Sequence, residues 1–131
     1  MADSLKISML TPEKDFFTGE VTEISTESIQ GKIGILVDHM PLVTALKPCQ
    51  TEVVSKDGKK RIAFTSNGIL KVKNNEVSIL CEACEWPEDI DAARAKSAKE
   101  RAQKRLSQKD GIDIKRAEMS LARAIARLSL K

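Results

Sequence analysis

A change of pattern at Trp86-Pro87 limits what this 131-residue chain can fold into more than any other feature. Up to Glu85, short segments of alternating apolar residues are separated by Gly, Pro, Asn and Asp, as expected of β-strands joined by turns. From Glu88 onward β-branched residues thin out, and Ala, Arg, Lys, Glu and Leu, all good helix formers, take over. A face that repeats every two residues and one that repeats every 3.6 belong to different elements. The chain therefore divides into residues 1–86, a β unit, and residues 87–131, a helical unit. Charge divides at the same place. Met1 to Glu85 carries ten Lys plus Arg against twelve Asp plus Glu, net −2, whereas Trp86 to Lys131 carries twelve against seven, net +5.

In the first unit Leu5, Ile7 and Met9 alternate with Lys6 and Ser8 and stop at Thr11-Pro12, the pattern of a half-buried strand. Thr51–Ser55 and Lys60–Thr65 flank Lys56-Asp57-Gly58-Lys59, where Asp-Gly supplies the positive φ of a tight hairpin turn. Gly68–Val72 and Glu76–Cys81 flank Lys73-Asn74-Asn75 in the same manner, so these segments form a meander. Gly31–Val37 reads as a strand whose glycines permit a bulge or a close backbone approach, and Leu42–Leu46, opened by Pro41, as a buried strand.

Residues in the second unit space themselves for two helices. Glu88, Asp89 and Asp91 place negative charge at the start of the first, Lys104 and Arg105 place positive charge near its end, and Asp110-Gly111 breaks it. The second begins near Ile112 with Asp113 in its first turn and carries an apolar stripe of Ile114, Ala117, Leu121, Ala124 and Leu128. Ala95, Ala98, Ala102 and Leu106 give the first helix a thinner stripe that lets a partner approach closely. An antiparallel hairpin with little apolar area follows, and its docking is expected to be weak and reversible. Opened into one rod, Glu88 to Lys131 would span roughly 65 Å at 1.5 Å per residue.

Catalysis finds little to work with. The chain has no Gly-rich phosphate loop, no G-x-S-x-G turn and no tyrosine, and its one histidine, His39, has no nucleophile or paired carboxylate near it in sequence. His39 is read as a loop residue bonded to backbone, and no catalytic residue is assigned. Cys81 and Cys84 spell C-x-x-C, but a structural zinc site usually needs four ligands; with Cys49 they are read as free thiols, and no metal site is assigned. Every apolar run falls far short of the roughly 20 residues that cross a bilayer, so no direct membrane insertion is expected and the chain is placed in the cytosol.

The arginines carry the remaining signal, because six of seven lie in the helical unit. Arg123 and Arg127 share one helical face, and Arg94, Arg101 and Arg105 recur at steps of seven and four, so like charges stack unless something anionic relieves them. A solvated basic face is the plain reading, and a phosphorylated ligand or an acidic partner is the sharper one. A nucleic-acid module is the third reading, but the acidic β unit and 3% aromatic content argue against it, so no nucleic-acid partner is assigned.

Several motifs in order resemble the epsilon subunit of the bacterial F-type ATP synthase. The stretch Gly31-Lys32-Ile33-Gly34-Ile35-Leu36-Val37-Asp38-His39-Met40-Pro41-Leu42-Val43 is similar to that family's G-x-x-G-I-L-x-x-H-x-P-L-V. Ser66-Asn67-Gly68-Ile69-Leu70-Lys71-Val72 is similar to its S-G-G-x-L-E-V strand, and Val77-Ser78-Ile79-Leu80 to the last strand of its sandwich. Ile90-Asp91-Ala92-Ala93-Arg94-Ala95 resembles I-D-x-x-R-A of nucleotide-binding members. Asp38 and Asn67 stand where the family usually has glycine.

The resemblance implies a mainly β plus α fold: a ten-stranded antiparallel β-sandwich over residues 1–86 and a helical hairpin over residues 87–131. It implies a non-catalytic central-stalk subunit, peripheral on the cytoplasmic face of the bacterial membrane. Its sandwich binds the gamma subunit and the rotor ring, and its hairpin, when extended, reaches the alpha and beta subunits of the head and inhibits ATP hydrolysis. No cofactor is required. ATP is implied as a regulatory ligand, modulated by magnesium, at Glu85, Ile90, Asp91, Arg94, Ala95, Arg101, Arg123 and Arg127. The alternative is a stalk adaptor without nucleotide sensing.

Overall fold

Residues 3–108 and 113–131 are described by a computed structural model. Nine strands are formed among them: β1 Leu5–Leu10, β2 Asp15–Ser28, β3 Gly31–Leu36, β4 Leu42–Leu46, β5 Cys49–Ser55, β6 Lys60–Thr65, β7 Gly68–Lys73, β8 Glu76–Cys81 and β9 Cys84–Glu85. Two helices follow, α1 Ala92–Ser107 and α2 Ile114–Leu128. The hydrogen-bonded order is β1-β8-β7-β4-β2-β5-β6-β9, with β3 also on β2 and β1 also on β2. The sheet thus folds over on itself as a sandwich.

Nine strands replace the expected ten because β2 runs unbroken for 14 residues and serves both layers. Its first half pairs with β1 from Asp15 to Val21, and its second half pairs with β3 and β5. An irregularity between Val21 and Glu23 bends it from one layer to the other. The sheet is not wholly antiparallel either, since β1 runs parallel to β8, Lys6 opposite Glu76 and Leu10 opposite Leu80. Leu5, Ile7, Met9, Val21, Ile24 and Ile79 fill the space between the layers and are all buried.

Both predicted turns have the backbone their residues favour. Gly58 lies at φ +85°, and Asn74 and Asn75 at φ 51° and 60°. Asp38 also takes a left-handed backbone, φ 65°, where the family's glycine would do so freely. Its N–H donates to Asn75 Oδ1 at 2.6 Å, and Asn75 Nδ2 donates back to Asp38 Oδ1 at 2.9 Å. Two strand expectations are corrected. Gly31–Leu36 pairs with β2 in continuous register and holds no bulge, and Gly34 has open space where its Cβ would be, so no close backbone approach occurs there. Strand β4 is not fully buried: Leu46 is inside, but Val43 is 69% exposed because it faces outward from the layer.

The helical unit starts later than its charges suggest. Pro87–Asp89 forms a single 3-10 turn, Ile90 is extended, and Asp91 caps α1 by accepting the Arg94 N–H at 3.0 Å. Asp113 is likewise a cap, accepting the Arg116 N–H at 3.1 Å, and not a first-turn residue. The predicted break at Asp110-Gly111 and the start at Ile112 lie outside the described residues. Ala95, Ala102, Ala117 and Ala124 are buried, whereas Ile114, the first residue of α2, is 53% exposed.

Candidate functional site

The hairpin rests on the outer side of β5 and β6. Alternate residues of β6 face opposite ways, so Phe64 lies on the same outward side as the exposed Lys60 and Ile62. It alone is covered: Ile90 and Ala126 pack on it, with Ala83 and Leu130 at the edge, and its exposure falls to 0%. Ile90 therefore belongs to an apolar seal.

Beside that seal, a cavity of about 350 Å³ is lined by Glu85, Asp91, Arg94, Ala95, Arg101, Arg123 and Arg127, together with Asp89, Ala98 and Ser120. Seven of the eight residues singled out from the sequence converge there, carried by β9, α1 and α2. The helix steps explain the convergence. Arg94 and Arg101 lie two turns apart on α1, and Arg123 and Arg127 one turn apart on the facing side of α2.

Both arginines that α2 gives to the cavity are held. Arg127 donates from Nε and Nη2 to the two carboxylate oxygens of Glu85, both at 3.0 Å, and its guanidinium carbon sits 4.4 Å from the centre of the Phe64 ring. Arg123 donates from Nη1 to Asn67 Oδ1 at 3.4 Å and from Nη2 to Ser120 Oγ at 3.3 Å. The side chains of Arg94 and Arg101 have no ion-pair partner among the described residues. Four guanidinium groups thus face three carboxylates, of which Glu85 is committed to Arg127 and Asp91 to its helix cap. Such a cavity can accept an anion with several oxygens.

The sequence reading missed Phe64, Asn67 and Ser120. Only Asn67, by replacing a customary glycine, gave a signal. A larger hollow of about 790 Å³ opens between β2, β5 and α2. It is a wide groove in which Lys47 pairs with Glu27 at 3.3 Å and Glu52 pairs with Lys60 at 3.8 Å, leaving Lys32, among the described residues, as a single cation. Lacking convergent unpaired charge, it is the weaker candidate in spite of its size.

Elsewhere His39 sits in a loop with Nδ1 donating to the Met40 carbonyl at 2.7 Å. Cys49, Cys81 and Cys84 are free and buried. The hydrogen bond between the Cys81 and Cys84 thiols, and then burial, push the Cys81 thiol up, while the same bond holds Cys84 down. Among the described residues no cluster of His, Cys, Asp or Glu is arranged to hold a metal, and no helix is long and apolar enough to cross a membrane.

A β-sandwich carrying a two-helix hairpin, with an arginine-rich cavity at their junction, defines the class of protein by its fold. The family descriptions that match are "ATP synthase, Delta/Epsilon chain, beta-sandwich domain" over residues 4–87 and "ATP synthase, Delta/Epsilon chain, long alpha-helix domain" over residues 88–131. The ATP synthase epsilon chain of Clostridium kluyveri is 58% identical over 99% of this chain and 98% of its own length, and that of Clostridium novyi 48% identical over 99% of each. A chain in the mitochondrial ATP synthase of Euglena gracilis has the same fold, with TM-score 0.86 at 22% identity over 98% of this chain and 81% of that one. This chain belongs to the ATP synthase delta/epsilon chain family, as a bacterial F-type epsilon subunit.

Proposed function

We propose that this chain is a non-catalytic central-stalk subunit whose hairpin senses ATP and, when released, inhibits ATP hydrolysis. The observation that carries the sensing half is the gathering of Arg94, Arg101, Arg123 and Arg127 around one cavity of about 350 Å³ at the hairpin–sandwich junction. Phosphates of ATP bridging arginines on both helices would favour the docked hairpin over any form in which the helices separate. Magnesium, by pairing with the same phosphates, modulates that affinity. Glu85 acts through Arg127, and Ile90 closes the apolar seal.

The stalk half draws support from the outer face of the sandwich. Ala45, Ile69, Leu80 and Leu10 stand opposite one another on β4, β7, β8 and β1, and Ile69 and Leu80 are 46% and 43% exposed. An apolar row across four strands suits a protein partner, here the gamma subunit or the rotor ring. The subunit would sit peripherally on the cytoplasmic face of the membrane, its extended hairpin reaching the alpha and beta subunits. Division at residues 86 and 87 would then separate stalk binding from regulation.

Calorimetric titration of the full chain with ATP and magnesium tests the sensor: saturable heat that disappears in Arg94→Ala with Arg127→Ala supports it, and unchanged heat removes it. For inhibition, deleting residues 88–131 from the assembled complex must speed ATP hydrolysis. The second reading, a stalk adaptor without sensing, is favoured by the Glu85–Arg127 pair, which already satisfies one arginine without a ligand.

A further inference from the structure

We propose that the sandwich supplies a fixed half of the arginine cavity, in which Phe64 positions Arg127 and Asn67 positions Arg123 for the phosphate oxygens of a nucleotide. This rests on the nucleotide reading above and names residues outside the motif that suggested it.

The two contacts come from rigid parts of the sandwich. Phe64 is fully buried and paired on both sides, opposite Gln50 of β5 and Glu85 of β9, and its ring forms a floor 4.4 Å beneath the Arg127 guanidinium carbon. A cation on an aromatic face keeps its edge N–H groups free, so Arg127 can bind Glu85 along one edge without losing its support from below. Asn67 lies in the turn between β6 and β7, and that turn is braced three times. Ser66 N–H donates to the Ala83 carbonyl at 3.0 Å, Ala83 N–H to Ser66 Oγ at 2.8 Å, and Glu82 N–H to the Asn67 carbonyl at 3.4 Å. The Asn67 backbone is therefore fixed beside α2, and its amide oxygen accepts from Arg123, while Ser120, one turn back on α2, takes the other guanidinium nitrogen.

An asymmetry follows. The α2 arginines are aimed before any ligand arrives, so little side-chain entropy is lost when they bind it, whereas Arg94 and Arg101 on α1 must still be ordered by the ligand. The prearranged pair exists only while the hairpin is docked, because both supports belong to the sandwich. Separated from it, the two arginines revert to flexible side chains, and affinity falls even if α1 and α2 stay together.

The full-length chain, with Phe64→Leu and Asn67→Ala variants, decides the matter in two measurements. Phe64→Leu keeps an apolar cover for Ile90 and Ala126 but removes the aromatic face; Asn67→Ala removes the amide oxygen alone. In the ligand-free protein, nitrogen-15 NMR of the arginine side chains reads the positioning directly. Solvent exchange at Arg127 should quicken at least about fivefold in Phe64→Leu, and that at Arg123 in Asn67→Ala, with the backbone signals of α2 unmoved. Calorimetry with ATP should then give affinities about three- to tenfold weaker in each variant. In an Arg127→Ala background, Phe64→Leu should cost nothing further, a result that a merely structural role would not produce. Unchanged arginine exchange overturns the proposal, as does unchanged ATP affinity in variants of a chain that binds ATP. If the wild-type chain gives no heat with ATP, the sensor reading fails on its own, and the exchange measurement still decides whether Phe64 and Asn67 position the arginines.

Discussion

Thr51 illustrates how single residues hold this fold together. Its hydroxyl lies 2.9 Å from that of Thr26 and 2.7 Å from that of Thr65, and all three side chains are buried between β2, β5 and β6. The chain of hydroxyls satisfies polar groups that burial would otherwise penalise. Thr51→Val keeps the volume but leaves the Thr26 and Thr65 hydroxyls with only the weakly bonding Cys49 sulfur, at 3.4 and 3.5 Å, and should lower stability by about 1–3 kcal/mol in urea unfolding. Gly68 shows the opposite constraint. A Cβ there would overlap the Leu80 carbonyl and lie 2.9 Å from Cys81 Cα, both backbone atoms that cannot yield, so Gly68→Ala should cost about 3 kcal/mol in the same assay. Asp57 governs a pH response. The Ser55 hydroxyl, then the Lys59 N–H, hold its carboxyl below the ordinary 3.8. A depressed carboxyl stabilises the fold above its unfolded value and loses that effect as pH falls through the folded one. The β5–β6 turn should therefore loosen only below about pH 4, visible as concerted shifts of the Ser55 and Lys59 signals with the Asp57 carboxyl. Shifts beginning near neutral pH would contradict this.

At the scale of elements, the hairpin is attached by few contacts, and each is identifiable. The apolar seal joins Phe64, Ile90 and Ala126; the Arg127–Glu85 pair and the Arg123–Asn67 bond close one side; Gln50 Nε2 donates to Ser129 Oγ at 2.7 Å on the other. Arg127→Ala removes a two-point ion pair whose partners are about a quarter exposed, and uncovers the Phe64 ring. It should weaken docking by about 1–2 kcal/mol, read as a lower melting temperature of the helical signal. How much of this was legible in sequence varies with the kind of information needed. Strands β1, β5, β6, β7 and β8 and their turns could be read because alternation and Asp-Gly or Asn-Asn act locally. Long β2 could not, since its first half is largely exposed and shows no clean alternation. The parallel pairing of β1 with β8 joins residues about 70 apart, which no local pattern encodes. Helix steps fix which arginines share a face, so Arg94, Arg101, Arg123 and Arg127 could be grouped from spacing, whereas Glu85, Asp91 and Ala95, which line the same cavity, were named only through the resemblance. Ile90 was assigned to the site but supports it from the seal, and Phe64 looked like an ordinary core residue because the sequence does not say which layer will be covered.

For the whole molecule the question is where it bends. Trp86 is stacked on Phe16 at 4.5 Å, meets Phe17 edge-on at 5.9 Å and carries Arg61 at 3.6 Å over its ring, so the chain is anchored to the sandwich up to that residue. Beyond it only the short turn Pro87–Asp89 and the seal at Ile90 precede the cap of α1. Release of the hairpin would therefore pivot between Trp86 and Asp91, leaving Glu85 behind on β9 and carrying Arg127 away with α2. A ligand bound by arginines of both helices would oppose this opening. The most direct test is backbone hydrogen exchange of the full chain across residues 92–107 and 114–128, with and without ATP and magnesium. At an ATP concentration a hundred times its dissociation constant, docking gains about 2.7 kcal/mol, and exchange in both helices should slow roughly a hundredfold. Identical exchange with and without ATP would contradict a hairpin held down by its ligand.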